Sequence, residues 1–231
     1  RKMLFSYRKA GAHNYHLYEM GVDGAGLRQL TSGEFDDFEP TYLPGGEILF
    51  VSTRCRRWVS CWKTHVGIMH RCDSKGGNIR PVSCNIEHDN TPWMLPDGRV
   101  LYMRWEYVDR SQMDFHHLWA MFPDGTGQAI VYGNQSPGTV MIDAKPIPGT
   151  RKLIASFSPG HGANEHSGRV AIVSPDIGPD DPAAVQQFSN MGALIRDPFP
   201  VSEDCFILAQ NNRILVMDGS GKWEPLYTHT A

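Results

Sequence analysis

The stretch VSTRCRRWVSCWKTHVGIMHRC, Val51 to Cys72, gathers three of the chain's five cysteines, two histidines, two tryptophans and a run of arginines. Thiolate and imidazole are the ligands that zinc prefers, and imidazole is also the acid–base group that titrates nearest to neutral pH. The spacing excludes the local motifs. No Cys-x-x-Cys-His occurs, so no c-type haem attaches within this chain. The gaps Cys55–Cys61–Cys72–Cys84 are too irregular for a zinc finger. Cys55 and Cys61 lie close enough in sequence for a local disulfide. Cys72 and Cys84 sit near the ends of neighbouring strands, where a cross-strand bridge is the alternative, and Cys205 falls in an apolar run as a buried thiol. The segment His161-Gly-Ala-Asn-Glu165-His166 lacks the helical spacing that a metalloprotease pair needs.

These residues must be positioned by something, and a repeat supplies it. LRQLTSGEFDDFEPTYLPGGEILF (27–50) aligns without a gap on IRPVSCNIEHDNTPWMLPDGRVLY (79–102). The register of about 52 residues is the length of a propeller blade. Further copies begin at Ile142 and Ile195. Turns of the Asp-Gly or Gly-Gly kind recur in phase, at Val22–Gly26, Cys72–Gly77, Pro123–Gly127 and Met217–Gly221. Each repeat reads as four short strands, and no amphipathic helix competes; Gly178–Ala193 holds at most one helical turn. The predicted fold is all-β: one β-propeller domain over residues 1–231, with approximate blades 2–47, 48–99, 100–151, 152–204 and an incomplete 205–231. About four and a half blades reads as part of a six- or seven-bladed ring. A five-bladed ring closed by strand sharing is the alternative.

In this frame the loops from first to second strand lie on one face of the disc. They carry His13, His16, His65, His116, His117, His161 and His166, seven of the ten histidines, with Cys55, Cys61, Glu106, Asp109, Asp114 and Glu165. Two readings stand. The imidazoles hold long loops to neighbouring backbone, or the face binds a metal, a cofactor or a partner. The metal candidates are Cys55, His65, His116, His117, His161 and His166, with zinc as the ion. The recurrent Asp37, Asp89, Asp143 and Asp197 read as structural, because a residue needed once per blade caps a turn and ties one blade to the next. Arg54, Arg56 and Arg57 offer charge to an acidic partner or form a solvated face.

The bulk numbers narrow the partner class. A net charge of -3 leaves no global basic field for nucleic acid, and no apolar run approaches bilayer length. The chain starts at Arg1 in a strand-like run with no signal peptide, which reads as a piece of something longer.

DDFEPTYLPGGEILFVSTR with its Asp-Gly-x-Gly turns resembles the TolB-type propeller repeat. FVSTRCRRWVSCW, NTPWMLPDGRVLYMRWEYVDRSQMDFHHLW, MIDAKPIPGTRKLIASFSPGHG and EHSG are similar to the middle domain of the hydrazine synthase alpha subunit family, with many planctomycete members. The resemblance runs from Lys2 to about Asp181. It implies a propeller set between an N-terminal domain and a C-terminal haem-bearing region. It also implies an extracytoplasmic setting, and a zinc-binding cysteine for which Cys55 is the candidate. Family chemistry joins nitric oxide to ammonium-derived nitrogen on c-type haems, so any haem c here belongs to other domains or to a partner. Enzymatic activity of this chain by itself stays open. The expected role is a scaffold or docking module in a redox protein, with protein domains or subunits on the His/Cys-rich face. The alternative is a non-catalytic TolB-like propeller that binds protein or ligand.

Overall fold

The computed structural model describes residues 1–160 and 166–230. β1 (Lys2–Tyr7), β2 (His16–Gly21) and β3 (Arg28–Gln29) form a three-stranded antiparallel sheet. β4 (Asp37–Tyr42) and β5 (Ile48–Ser52) open the next sheet. A separate hairpin follows, β6 (Trp58–Val59) with β7 (Trp62–His65), before β8 (Ile68–Cys72) and β9 (Arg80–Pro81) complete four strands. The third sheet holds β10 (Asp89–Met94), β11 (Val100–Trp105), β12 (Phe115–Met121) and β13 (Ala129–Tyr132). The fourth holds β14 (Thr139–Pro146), β15 (Leu153–Ser158), β16 (Arg169–Val173) and β17 (Val185–Phe188), and a short parallel pairing of β12 with β14 joins it to the third. The fifth holds β18 (Ile195–Ser202), β19 (Cys205–Gln210), β20 (Arg213–Met217) and β21 (Trp223–Thr228). The helical turn expected near 178–193 is a 3-10 turn, Pro182–Ala184, capped by the Asp181 side chain.

This is a β-propeller. Each sheet lays one apolar face on the next. Leu49 and Met69 of the second sheet meet Val100, Tyr102 and Met121 of the third. Leu101 and Leu118 of the third meet Leu153, Ala155 and Phe157 of the fourth. Ile154 and Val170 of the fourth meet Phe206, Leu208 and Leu215 of the fifth. Each such side chain gains about 1.5–3 kcal/mol on burial. Alternation along a strand therefore serves two interfaces, one per face, and this explains runs such as ILFVS in which every residue is buried. The Asp-Gly turns also lock neighbours. A Cβ on Gly76 (φ +85°) would meet the Leu30 carbonyl oxygen at 2.0 Å, and one on Gly125 (φ +89°) would meet that of Val82 at 1.9 Å.

The hydrogen bonds group the strands one step earlier than the repeat boundaries at 47/48, 99/100, 151/152 and 204/205. The Pro-Gly turn is a tight hairpin in which the Leu43 N–H donates to the Glu47 carbonyl at 2.8 Å. That turn ties each Asp-bearing strand to the strand after it. The fifth sheet consequently has all four strands, with β21 beyond the Asp218-Gly219 turn, and the three-stranded sheet is the first.

Candidate functional site

Four inner strands, β4, β10, β14 and β18, neighbour one another in order and carry the recurrent aspartates. Each has a bulge where the register against the next strand shifts, at the third residue of β4, β10 and β18 and at the fifth of β14. The bulge residues are Glu39, Thr91, Asp143 and Asp197, all left-handed, with φ of 49°, 52°, 58° and 44°. This register divides the aspartates into two positions. Asp37 and Asp89 open their strands. Asp143 and Asp197 occupy the bulge, and Met141 and Ile195 stand where the first pair would be.

The two positions do different work. Asp37 is fully buried and accepts from Ser52 Oγ at 2.7 Å, Arg54 Nε at 3.0 Å and Arg54 Nη2 at 2.6 Å. His16 Nδ1 stands 3.6 Å from it. Asp89, also fully buried, accepts from Arg104 Nε at 3.0 Å and Asn85 Nδ2 at 3.3 Å. The Arg104 guanidinium lies over the Trp119 ring at 4.8 Å. Burial pushes the Asp89 carboxyl up, against the pull of Arg104. These are loop-base clamps.

The bulge residues form a ladder between blades. Glu39 Oε2 accepts the Thr91 N–H at 2.6 Å, Thr91 Oγ1 accepts the Asp143 N–H at 3.3 Å, and the Asp143 carboxylate accepts the Asp197 N–H. Lys145 is buried beside them, donating to the Asp143 carbonyl at 3.2 Å with its ammonium 5.2 Å from the Trp93 ring centre. Burial raises Glu39 to about 7, helped by the charges of Asp143 and Asp197. Burial likewise raises Asp143 and lowers Lys145. Sequence reasoning missed Glu39, Thr91 and Lys145. The available signal was that Asp143 lies two residues past the 52-residue register that joins Asp37 to Asp89.

The metal candidates among the described residues do not gather at one point. His116 and His117 belong to β12 rather than to a loop, and both are fully buried. The strand starts at Phe115, so His116 stacks on Trp105, ring centres 5.3 Å apart. His117 takes the other side, with Nε2 3.3 Å from the Ser136 carbonyl and Nδ1 3.8 Å from Glu106. Burial pushes Glu106 up, but His117 and Arg110 outweigh it and hold the carboxyl below its usual range. His65 is exposed at the end of β7, stacked on Trp58 at 4.0 Å. His166 is exposed, and its charge acts on Asp143. His161 lies outside the described residues. Cys55 Sγ donates to the Val66 carbonyl at 3.3 Å, and all five cysteines are free thiols, so Cys55 and Cys61 are not bridged. Cys205 is half-buried and Cys84 exposed. Among the described residues, no three His, Cys, Asp or Glu side chains gather as a metal site.

The blade-two connection is distinct. β6 and β7 stand as their own two-stranded hairpin. Its inward face, the base on which it sits, is fixed: Val59 and Val66 pack with Trp105, the Ser60 N–H in the turn donates to buried Glu87 at 3.2 Å, and Arg57 bonds the Asn85 carbonyl. Its outward face is open, with Trp62 76% and Trp58 51% exposed.

No protein-family model matches the chain. A curated relative, hydrazine synthase subunit alpha from Kuenenia stuttgartiensis, is 24% identical over 88% of the chain. The solved hydrazine synthase from the same organism superposes with a TM-score of 0.84 at 18% identity over 99% of the chain. This chain resembles the hydrazine synthase alpha subunit. It spans about a third of the length of these relatives, 32% and 37%. A putative TolB from Agrobacterium tumefaciens matches at a TM-score of 0.62, 14% identity, over 92% of the chain and 73% of that protein. An oligogalacturonate lyase in complex with manganese matches at 0.51, 14% identical, over 99% of the chain and 74% of that protein. At these identities the structural matches establish the fold. Among the described residues, no helix is long and apolar enough to cross a membrane.

Proposed function

We propose that this propeller is a docking and supporting module of a larger extracytoplasmic redox protein related to the hydrazine synthase alpha subunit. Its long-loop face receives a neighbouring domain or subunit, and haem c, where present, is carried by that neighbour. The observation that carries this reading is the joint match in sequence and fold to about a third of a protein named as a subunit. The clamps at Asp37 and Asp89 support it. They spend the charged residues at the loop bases on rigidity, and a rigid scaffold that positions loops is the common basis for recognition.

A second reading, a TolB-like binding propeller with no haem partner, is favoured by the match to a putative TolB. Cross-linking mass spectrometry on the natural protein separates the two, together with a haemochrome assay for covalent haem. The first reading predicts covalent haem in the protein or its complex, and cross-links from Lys63 to the neighbour. Cross-links confined to Lys152 and Lys222 would contradict it, and a protein and complex without haem would favour the second reading.

A further inference from the structure

We infer that the Trp58–His65 hairpin is the docking element of this face, and that it fits an acidic protein surface with an apolar cleft. This rests on the docking reading above and adds the element and the partner's chemistry.

Shape is the first argument. Trp62 and Trp58 project from a two-stranded hairpin whose base is held by Val59, Val66 and the Ser60–Glu87 bond. Aromatic residues on a fixed base lose little freedom on binding, and tryptophan is enriched among the residues that dominate interface energy. Val108 and Met113, 61% and 53% exposed, add apolar area on the next long loop. That loop's Tyr107 packs against the same core as the hairpin base.

Charge is the second. From Ile48 to Cys72 there is no Asp or Glu, although the whole chain is net negative. Arg54 is spent on Asp37 and Arg71 on Glu47. Lys63 and Arg56 are exposed and form no ion pair among the described residues; Arg56 lies over the Phe35 ring. The hairpin therefore presents Lys63 and His65, with Arg56 just before it, around two exposed indoles. Two cations are too few to hold an anionic bilayer, where each contributes only about 1 kcal/mol. Two anchoring tryptophans with flanking charge are enough to define a protein interface.

The probe is a random glutamate–tyrosine copolymer, with binding read by tryptophan fluorescence at several salt concentrations. Wild type is expected to bind with salt-dependent affinity. Trp62→Ala is expected to weaken binding by at least about tenfold. Lys63→Glu is expected to weaken it and flatten the salt dependence, and Leu226→Ala, an exposed change on the fifth sheet, to leave it alone. Circular dichroism and the unfolding midpoint serve as folding controls. No binding by wild type, or equal binding by Trp62→Ala, overturns the inference. So does a blue-shifted emission on phosphatidylcholine–phosphatidylglycerol vesicles in place of copolymer binding. Cross-linking on the natural protein keeps the two readings apart. Neighbour cross-links that persist unchanged in Trp62→Ala refute the hairpin's role and leave the docking module standing. Loss of those cross-links with a native fold supports the hairpin.

Discussion

The long loops of the second and third sheets have nearly the same ingredients and opposite fates. Between β5 and β8 the chain places Trp58, Trp62 and His65 outward. At the end of β11 and the start of β12 it places Trp105, His116 and His117 inward, all at or near zero exposure. The difference is which strand the residues join. Trp105 pairs with His116 across the main ladder of the blade, where both faces are covered. Trp58 pairs with His65 in a separate two-stranded hairpin whose outward face is left uncovered. Histidine and tryptophan content alone therefore says nothing about availability. A residue built into the blade becomes packing, and one lifted out of it becomes surface.

The comparison breaks most visibly at the buried end. Trp105→Ala should cost about 3–5 kcal/mol, the range for truncating a large core aromatic. Denaturant unfolding reads this as a lower midpoint. Asp89→Ala removes the partner of buried Arg104 and should cost a similar 3–5 kcal/mol. Replacing Arg104 with Met in the same background should recover part of that loss. At the exposed end, Trp62→Ala should move stability by less than about 0.5 kcal/mol while reducing probe binding.

A pH-dependent effect lies in the ladder between blades. Glu39 holds its proton more tightly folded, at about 7, than its ordinary value of 4.5. Between those values the folded state binds more protons than the unfolded one, so stability falls as pH rises. Asp143, Asp197 and Lys145 face the same carboxyl. Glu39→Gln should flatten this window in melts taken across it. A variant with the same slope as wild type would remove Glu39 from the account.

Much of the fold was legible. Asp-Gly turns, the two apolar strands of each repeat and the 52-residue spacing are local signals with a mechanical cause, since glycine alone accepts the turn geometry at the required approach. Two things were not. The strand start at Phe115 rather than His117 cannot be read from alternation, because a strand buried on both faces accepts any apolar or stacking residue. The bulge residues Glu39, Thr91, Asp143 and Asp197 adopt the left-handed region without glycine, so residue type does not mark them. They took their place in the repeat only through register. Of the histidines set on a common face, two are structural in β12, and the cysteines neither pair nor collect ligands among the described residues.

The most direct test of the contrast between surface and packing is residue-resolved histidine modification. Diethylpyrocarbonate labelling of the native protein, mapped by mass spectrometry, should label His13, His65 and His166 rapidly. His116 and His117 should stay protected until the protein is unfolded. Labelling of His116 and His117 at the rate of His65 would contradict the account, because it would place both imidazoles on the open face.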